Sequence, residues 1–332
     1  MILRPSRRQF TLGAFASAAF ASTSLAQSSQ SAPQPTGSPE KRNASMLTVT
    51  EQLMHSTIMI RCKDSKGNLS SGTGFIFHLF NFQGQNVPVL VTNKHVVRDA
   101  ADGMLVFTEA NADGSPNYGA NLPIVISEFA KGWIDHPDAG VDLTIFPIAG
   151  ILKQFIDQGK RPFTVGIDET IIPTEQGFRD LTPMEDVLII GYPDGISDTK
   201  NNVPVFRRGI TATPVYLDFS GKKEFLVDAA IFPGSSGSPV FLFNQGTWHN
   251  RDGSTAVGNR IQLLGIIYAV ALHTTDGEII IVPAPTQAKS MAKSQIPNNL
   301  GLCIRASRVL EFEPIVVQKG FNVPDGYKMR AG

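Results

Sequence analysis

Gly234-Ser235-Ser236-Gly237-Ser238-Pro239 sets a serine in a tight, glycine-flanked turn. Glycine tolerates positive φ and lets another backbone come close, so a serine held this way can meet an extended chain. Ser235 and Ser238 share the residue type, but only Ser236 has glycine two places before it and one after. Upstream, His95 stands in Leu90-Val91-Thr92-Asn93-Lys94-His95-Val96-Val97, and Asp142 in Val141-Asp142-Leu143-Thr144-Ile145-Phe146. A serine hydroxyl is a weak nucleophile at neutral pH. It needs a base for its proton, a carboxylate to orient that base, and donors for the oxyanion that forms. The chain carries these residue types in the order His, Asp, Ser. Asp142 directly precedes an apolar run, where a carboxylate is costly unless hydrogen-bonded, and an imidazole N–H would satisfy it. His55, His78, His136, His249 and His273 lack such a setting and read as core or loop residues. Asp135, Asp138 and Asp157 read as turn or cap residues. The α/β-hydrolase elbow, Gly-x-Ser-x-Gly with the histidine last, is excluded, because residue 238 is serine and His95 comes first.

Further segments surround these three: Ser71-Gly72-Thr73-Gly74-Phe75-Ile76, Ile190-Gly191-Tyr192-Pro193-Asp194-Gly195, Asp228-Ala229-Ala230-Ile231-Phe232-Pro233, Leu264-Gly265-Ile266-Ile267 and Asn299-Leu300-Gly301-Leu302-Cys303-Ile304. In this order, from Ser71 to Leu310, they resemble the chymotrypsin-like serine peptidases, and most nearly the bacterial Deg-type (high-temperature-requirement) branch. The resemblance implies an all-β fold, two packed six-stranded antiparallel β-barrels with a catalytic cleft between them. It implies a serine endopeptidase in which His95, Asp142 and Ser236 form the triad and the N–H groups of Gly234 and Ser236 the oxyanion hole. It also implies a primary pocket with Ala230 at its base and Ala269 and Val270 on its wall. Ala230 carries no charge and Val270 shortens the slot, so small aliphatic residues should precede the scissile bond. The alternative is a peptidase-fold binding or chaperone-like protein that has lost turnover.

Three departures from the family bear on mechanism. Ser235 stands where pancreatic-type enzymes carry an aspartate that pairs with a freshly cut N-terminus, so no activation of that kind is expected. Tyr268 falls where relatives place a small Ser or Thr near the triad carboxylate. About 20 residues follow the last barrel segment, so PDZ modules of the kind many Deg-type proteins append are not expected here. Strand signals cover 57–61, 73–77, 87–92 and 143–148, then 187–190, 205–211, 225–229, 239–243, 263–271 and 279–282. Gly150 to Gly159 has helical spacing, and the loops 159–183 and 244–262 read as insertions.

At the N-terminus, Ser6-Arg7-Arg8-Gln9-Phe10-Thr11-Leu12 resembles a bacterial twin-arginine export signal. A short apolar stretch and Ser24-Leu25-Ala26 follow as a small-residue cleavage site. An ordinary secretory signal is the alternative; either way the mature chain begins near Gln27 and is periplasmic or secreted. The expected organisation is a signal over 1–26, a Ser/Pro/Gln leader over 27–46, an N-terminal barrel over 47–150, a connection over 151–183, a C-terminal barrel over 184–312, and a tail over 313–332. The chain is 42% hydrophobic with 30 Gly and 22 Pro, which suits short strands joined by turns. Its formal charge is zero, and removing the signal takes away only Arg4, Arg7 and Arg8 among charged residues. No basic stripe offers itself to nucleic acid and no further segment is long enough to span a bilayer, so the expected partner is a polypeptide substrate. Cys62 and Cys303 are too few for a disulfide framework and read as buried thiols, with a single bridge as the alternative. No metal or other cofactor is indicated.

The signal reading has a direct test. A twin-arginine signal is read by a receptor as an address, whereas an ordinary signal needs only positive charge. The Arg7→Lys/Arg8→Lys double variant should therefore stay in the cytoplasm on cell fractionation; delivery of its mature form outside the cytoplasm would point to the ordinary route.

Overall fold

Apolar runs this short, bounded by Gly, Pro, Asn and Asp, favour strands joined in hairpins over helices. The computed structural model describes residues 47–273, 279–283, 296–324 and 326–329. The export signal and leader read at 1–46 lie outside the described residues. Among the described residues sixteen strands build two sheets, antiparallel throughout except where β9 (Ile167–Asp168) runs parallel to β2 (Leu69–Phe82). The first takes β1 (Thr57–Asp64), β2 (Leu69–Phe82), β3 (Gln85–Thr92), β4 (Ala100–Ala110), β5 (Pro116–Ser127), β6 (Ile134–Asp135) and β7 (Thr144–Pro147), in the order β5-β4-β1-β2-β3-β7-β6. Two short strands from the connecting segment, β8 (Pro162–Phe163) and β9 (Ile167–Asp168), return to pair with β4 and β2.

The second sheet takes β10 (Asp186–Gly191), β11 (Val205–Thr211), β12 (Glu224–Asp228), β13 (Pro239–His249), β14 (Thr255–His273), β15 (Ile279–Pro283) and β16 (Ile296–Arg305). Its path is β13-β10-β11-β12-β16-β14-β15, and β13 also pairs with β14. That extra pairing closes six strands into a ring and leaves β15 on its outside. The first sheet has six longer strands, β1 to β5 and β7, plus three of two residues. The all-β, two-barrel architecture is therefore present, with more strands than six in each sheet.

The two sheets share one apolar cluster. Phe75, Phe77, Val89, Val91 and Ile145 from the first pack with Ile190, Phe241, Ile266 and Ile304 from the second. Burying each such side chain is worth roughly 1.5–3 kcal/mol, so this cluster holds the two sheets together. Each sheet also has its own core, around Ile60, Leu90 and Leu105 in the first and around Ile189, Val240 and Leu264 in the second. α1 (Ala149–Asp157) matches the helical spacing at 150–159 and buries Ile151 and Phe155.

Some elements differ from the sequence reading. β4 and β5 carry no clear strand signal, because half-buried positions with Asp, Glu, Asn and Gly break the alternation. The segment 244–262 lengthens the β13–β14 hairpin, from Asn244↔Arg260 out to His249↔Thr255. Beyond the second sheet, α2 (Glu313–Gln318) docks on the shared cluster through Val316, and Phe312 just before it joins the same cluster, both fully buried. Cys62 and Cys303 are free and buried, and burial pushes the Cys62 thiol up to about 12. Among the described residues no helix is long and apolar enough to cross a membrane.

Candidate active site

Strand register brings the first two side chains together. β3 and β7 run antiparallel with Thr92 opposite Thr144, so the chain leaving β3 passes the chain entering β7. Leaving β3, Asn93 donates from Nδ2 to the Asp142 carbonyl at 2.8 Å, and a single helical turn, Lys94–Val97, then carries His95. Asp142 uses both carboxylate oxygens on this one residue. Its Oδ1 accepts the His95 backbone N–H at 3.1 Å, and its Oδ2 lies 2.5 Å from His95 Nδ1. The opposite ring nitrogen, Nε2, lies 2.9 Å from Ser236 Oγ. The His95 side chain is 8% exposed and that of Asp142 25% exposed, so the ring is shielded while the carboxylate keeps partial access to water.

The serine reaches this position through a turn that only glycine can make. Phe232-Pro233-Gly234-Ser235 closes with Ser235 N–H donating to Phe232 O at 3.1 Å, and Gly234 has φ +82°. Proline then glycine at the two central places, with positive φ at the second, is a type II turn. Gly237 has φ +83°, and a Cβ there would land on the Thr73 carbonyl oxygen. Asp194 N–H donates to Pro233 O at 2.5 Å. A trans peptide points its N–H opposite to its C=O, so the Gly234 N–H faces away from the Asp194 loop.

Thr73 ties the turn to the first sheet, and the sequence reading assigned it no role. Its N–H donates to Ser236 O at 2.9 Å and its Oγ1 to Gly234 O at 2.9 Å. Its carbonyl accepts Thr92 Oγ1 at 2.7 Å, and its Oγ1 accepts Tyr192 N–H at 3.0 Å. The only signal in the sequence is a threonine between two glycines in an apolar strand, where a buried hydroxyl must find partners. Arg207 was also missed. It reaches from β11 to donate to Ala230 O and Ser235 Oγ, both at 2.8 Å.

The remaining candidates fall as follows. Ala230 is exposed at the start of the nucleophile turn, while Ala269 and Val270 are buried on β14. The Tyr268 hydroxyl donates to Glu224 Oε2 at 2.8 Å. Burial raises its pKa, with the hydrogen bond to Glu224 and the charge of Glu224 adding, so the hydroxyl is committed to Glu224. Ser238 Oγ is buried with no partner among the described residues. His55 Nε2 lies 3.2 Å from the Tyr118 hydroxyl and His136 Nε2 3.2 Å from the Arg308 carbonyl. Two concavities flank the centre. One of about 320 Å³ lies beside Gly234, Asp194, Arg61 and Leu69, and one of about 380 Å³ beside His95, Lys66 and Asp99.

A base-bridged serine and carboxylate between two β-barrels define a class of protein. Residues 72–248, more than half of the chain, match the family model of the trypsin-like peptidase domain, and the chain belongs to that family. No protein of curated function matches it by sequence. Among solved structures, the HtrA-type protease AlgW with a tripeptide is similar at 17% identity and a TM-score of 0.44, over 82% of this chain and 63% of AlgW. A serine endoprotease from Yersinia pestis is similar at 15% identity and 0.40, over 82% of this chain and 68% of that one. Deg5 is similar at 14% identity and 0.41, over 83% of this chain and 99% of Deg5. The chain thus spans less than two thirds of the length of AlgW.

Proposed function

We propose that the protein is an exported serine endopeptidase that cuts polypeptides through an acyl-enzyme on Ser236, after small aliphatic residues. The observation that carries the reading is the continuous line Asp142 Oδ2, His95 Nδ1, His95 Nε2, Ser236 Oγ, with gaps of 2.5 and 2.9 Å. His95 Nε2 takes the Ser236 proton as Oγ attacks the peptide carbonyl carbon, and Asp142 stabilises the imidazolium. The tetrahedral oxyanion is met by the N–H groups of Gly234 and Ser236, aimed at where the charge develops. The imidazolium then gives its proton to the leaving amine nitrogen as the C–N bond breaks. Water, deprotonated by His95 in turn, attacks the ester carbon and releases Ser236.

The preference rests on the pocket residues. Ala230, Ala269 and Val270 offer no carboxylate, so a buried lysine or arginine side chain would be uncompensated. Arg207, bonded to the Ala230 carbonyl, adds a like charge against those side chains. Each methylene that fits is worth about 1–3 kcal/mol, which makes a preference and not an absolute rule. The test is to incubate the mature protein with a denatured protein mixture, map the new termini, and label a second sample with a fluorophosphonate. Labelling of Ser236 with Ala or Val before the cut bond is the expected result. Labelling with Lys or Arg dominant there would sink the pocket assignment alone. Absence of both labelling and cleavage would favour the silent binding protein.

A further inference from the structure

Ser235 lies between the Gly234 turn and the nucleophile, where the implied relatives that are activated by cleavage place a carboxylate. In this chain the position is fully buried and its hydroxyl is taken by a guanidinium. A single nitrogen, Arg207 Nη1, donates to Ser235 Oγ and to Ala230 O, both at 2.8 Å. Ser235 Oγ also accepts the Phe232 N–H at 3.3 Å. One cation therefore pins both ends of the stretch 230–235, and Gly234 lies inside it.

The rest of Arg207 is expensively placed. Its Nε and Nη2 are buried without an acceptor among the described residues. Burial lowers its pKa to about 10, with the charge of Asp194 opposing that, so it remains a cation under working conditions. Asp194 in turn is raised by burial, with Arg207 opposing. A buried, half-satisfied charge costs stability, and folds carry such costs where a site needs a particular geometry. The geometry at stake is the direction of one peptide. Type I and type II turns differ by a flip of the central peptide, and glycine at 234 permits either. In the type II form the Gly234 N–H faces away from the Asp194 loop; a flip would put the Pro233 carbonyl in its place. Asp194 N–H holds that carbonyl from behind, and Arg207 holds the two ends of the stretch.

We infer that Arg207 is a positioning residue for the oxyanion turn, a cation built into β11 that sets the Gly234 peptide without any processed N-terminus. The inference rests on the serine-peptidase reading above. Removing it leaves the triad intact but lets the turn flip, so its loss acts on the transition state and not on substrate binding.

The experiment compares wild type, Arg207→Met, Arg207→Lys, Ser235→Ala and the Arg207→Met/Ser235→Ala double variant as full mature chains. It reads kcat and KM separately, thermal midpoint, and inhibition by a peptide aldehyde, whose adduct carries an oxyanion. Losing one oxyanion donor costs about 10²–10³ in turnover, and Arg207→Met should approach that loss with KM within about threefold. Aldehyde affinity should fall by a similar factor. Arg207→Lys should regain at least about tenfold, because both bonds run from one nitrogen that an ammonium can replace. The double variant should lose clearly less than the two single losses combined, since the residues share one bond while Ser235 also holds the Phe232 N–H and Arg207 the Ala230 carbonyl. A folded Arg207→Met with wild-type kcat overturns the inference, as does a rise in KM with kcat unchanged, or additive losses in the double variant. Should Arg207→Met fail to fold, Ser235→Ala decides: reduced kcat with unchanged KM supports the inference and wild-type kcat overturns it. Wild-type protein that no fluorophosphonate labels overturns both this inference and the reading beneath it; labelled protein indifferent to Arg207 and Ser235 overturns this one alone.

Discussion

Ser236→Ala is expected to lose about 10⁶ in turnover on casein while its thermal midpoint stays near that of wild type. The change deletes one oxygen and nothing that shapes the turn. Gly234 and Gly237 keep their positive φ, and the Thr73 bonds run to the Gly234 and Ser236 carbonyls, not to the lost hydroxyl. What disappears is the atom 2.9 Å from His95 Nε2, and with it the acyl-enzyme route. A residue of roughly 10³–10⁴ over uncatalysed hydrolysis should survive, because substrate positioning and the oxyanion donors remain. Casein cleavage by the purified variant at the wild-type rate would remove Ser236 from the reaction.

Asp142→Asn is expected to cost about 10⁴ in kcat, and the geometry says why an isosteric change should be so damaging. Asp142 Oδ1 accepts a backbone N–H, that of His95, which is always a donor. An asparagine must therefore turn its amide oxygen to that N–H, which leaves its NH2 group facing His95 Nδ1. A donor facing Nδ1 makes Nδ1 the acceptor and places the ring proton on Nε2. Nε2 then has no lone pair for the Ser236 proton. Substrate binding is untouched, so KM should hold while kcat falls. Single-turnover acylation with an ester substrate would locate the loss in the attack step, and an acylation rate within about tenfold of wild type would contradict the role given to Asp142.

Much of this site is legible locally. The nucleophile turn can be read from Gly234, Ser236 and Gly237 because positive φ is a property of single residues. Asp142 stands out from Asp135 and Asp138 because it opens an apolar run, and Leu143, Thr144 and Ile145 are in fact fully buried. The strand at 205–211 is readable to the residue, since its edges are marked by turn formers. β4 and β5 are not readable, because their stability comes from pairing with each other and with β1 and not from an alternating pattern of their own. The length of the β13–β14 hairpin is hidden for the same reason: its outer rungs are polar and exposed, and only the register shows that they pair.

By itself the sequence determined the residue types, their order and the turn that presents Ser236, since backbone permissiveness and apolar patterning are short-range properties. Tertiary structure decided which partners those residues meet. That Arg207 would reach a serine 28 positions on, or Thr73 the Gly234 carbonyl 161 positions on, depends on how two sheets close and pack. Arg207 sits in no pattern of its own, and the glycines that flank Thr73 do not name the partners of its hydroxyl. Their roles come from buried polar groups that must be satisfied by whatever the fold brings within about 3 Å; for Arg207 that distance exists once the second sheet closes, and for Thr73 only once the two sheets pack together.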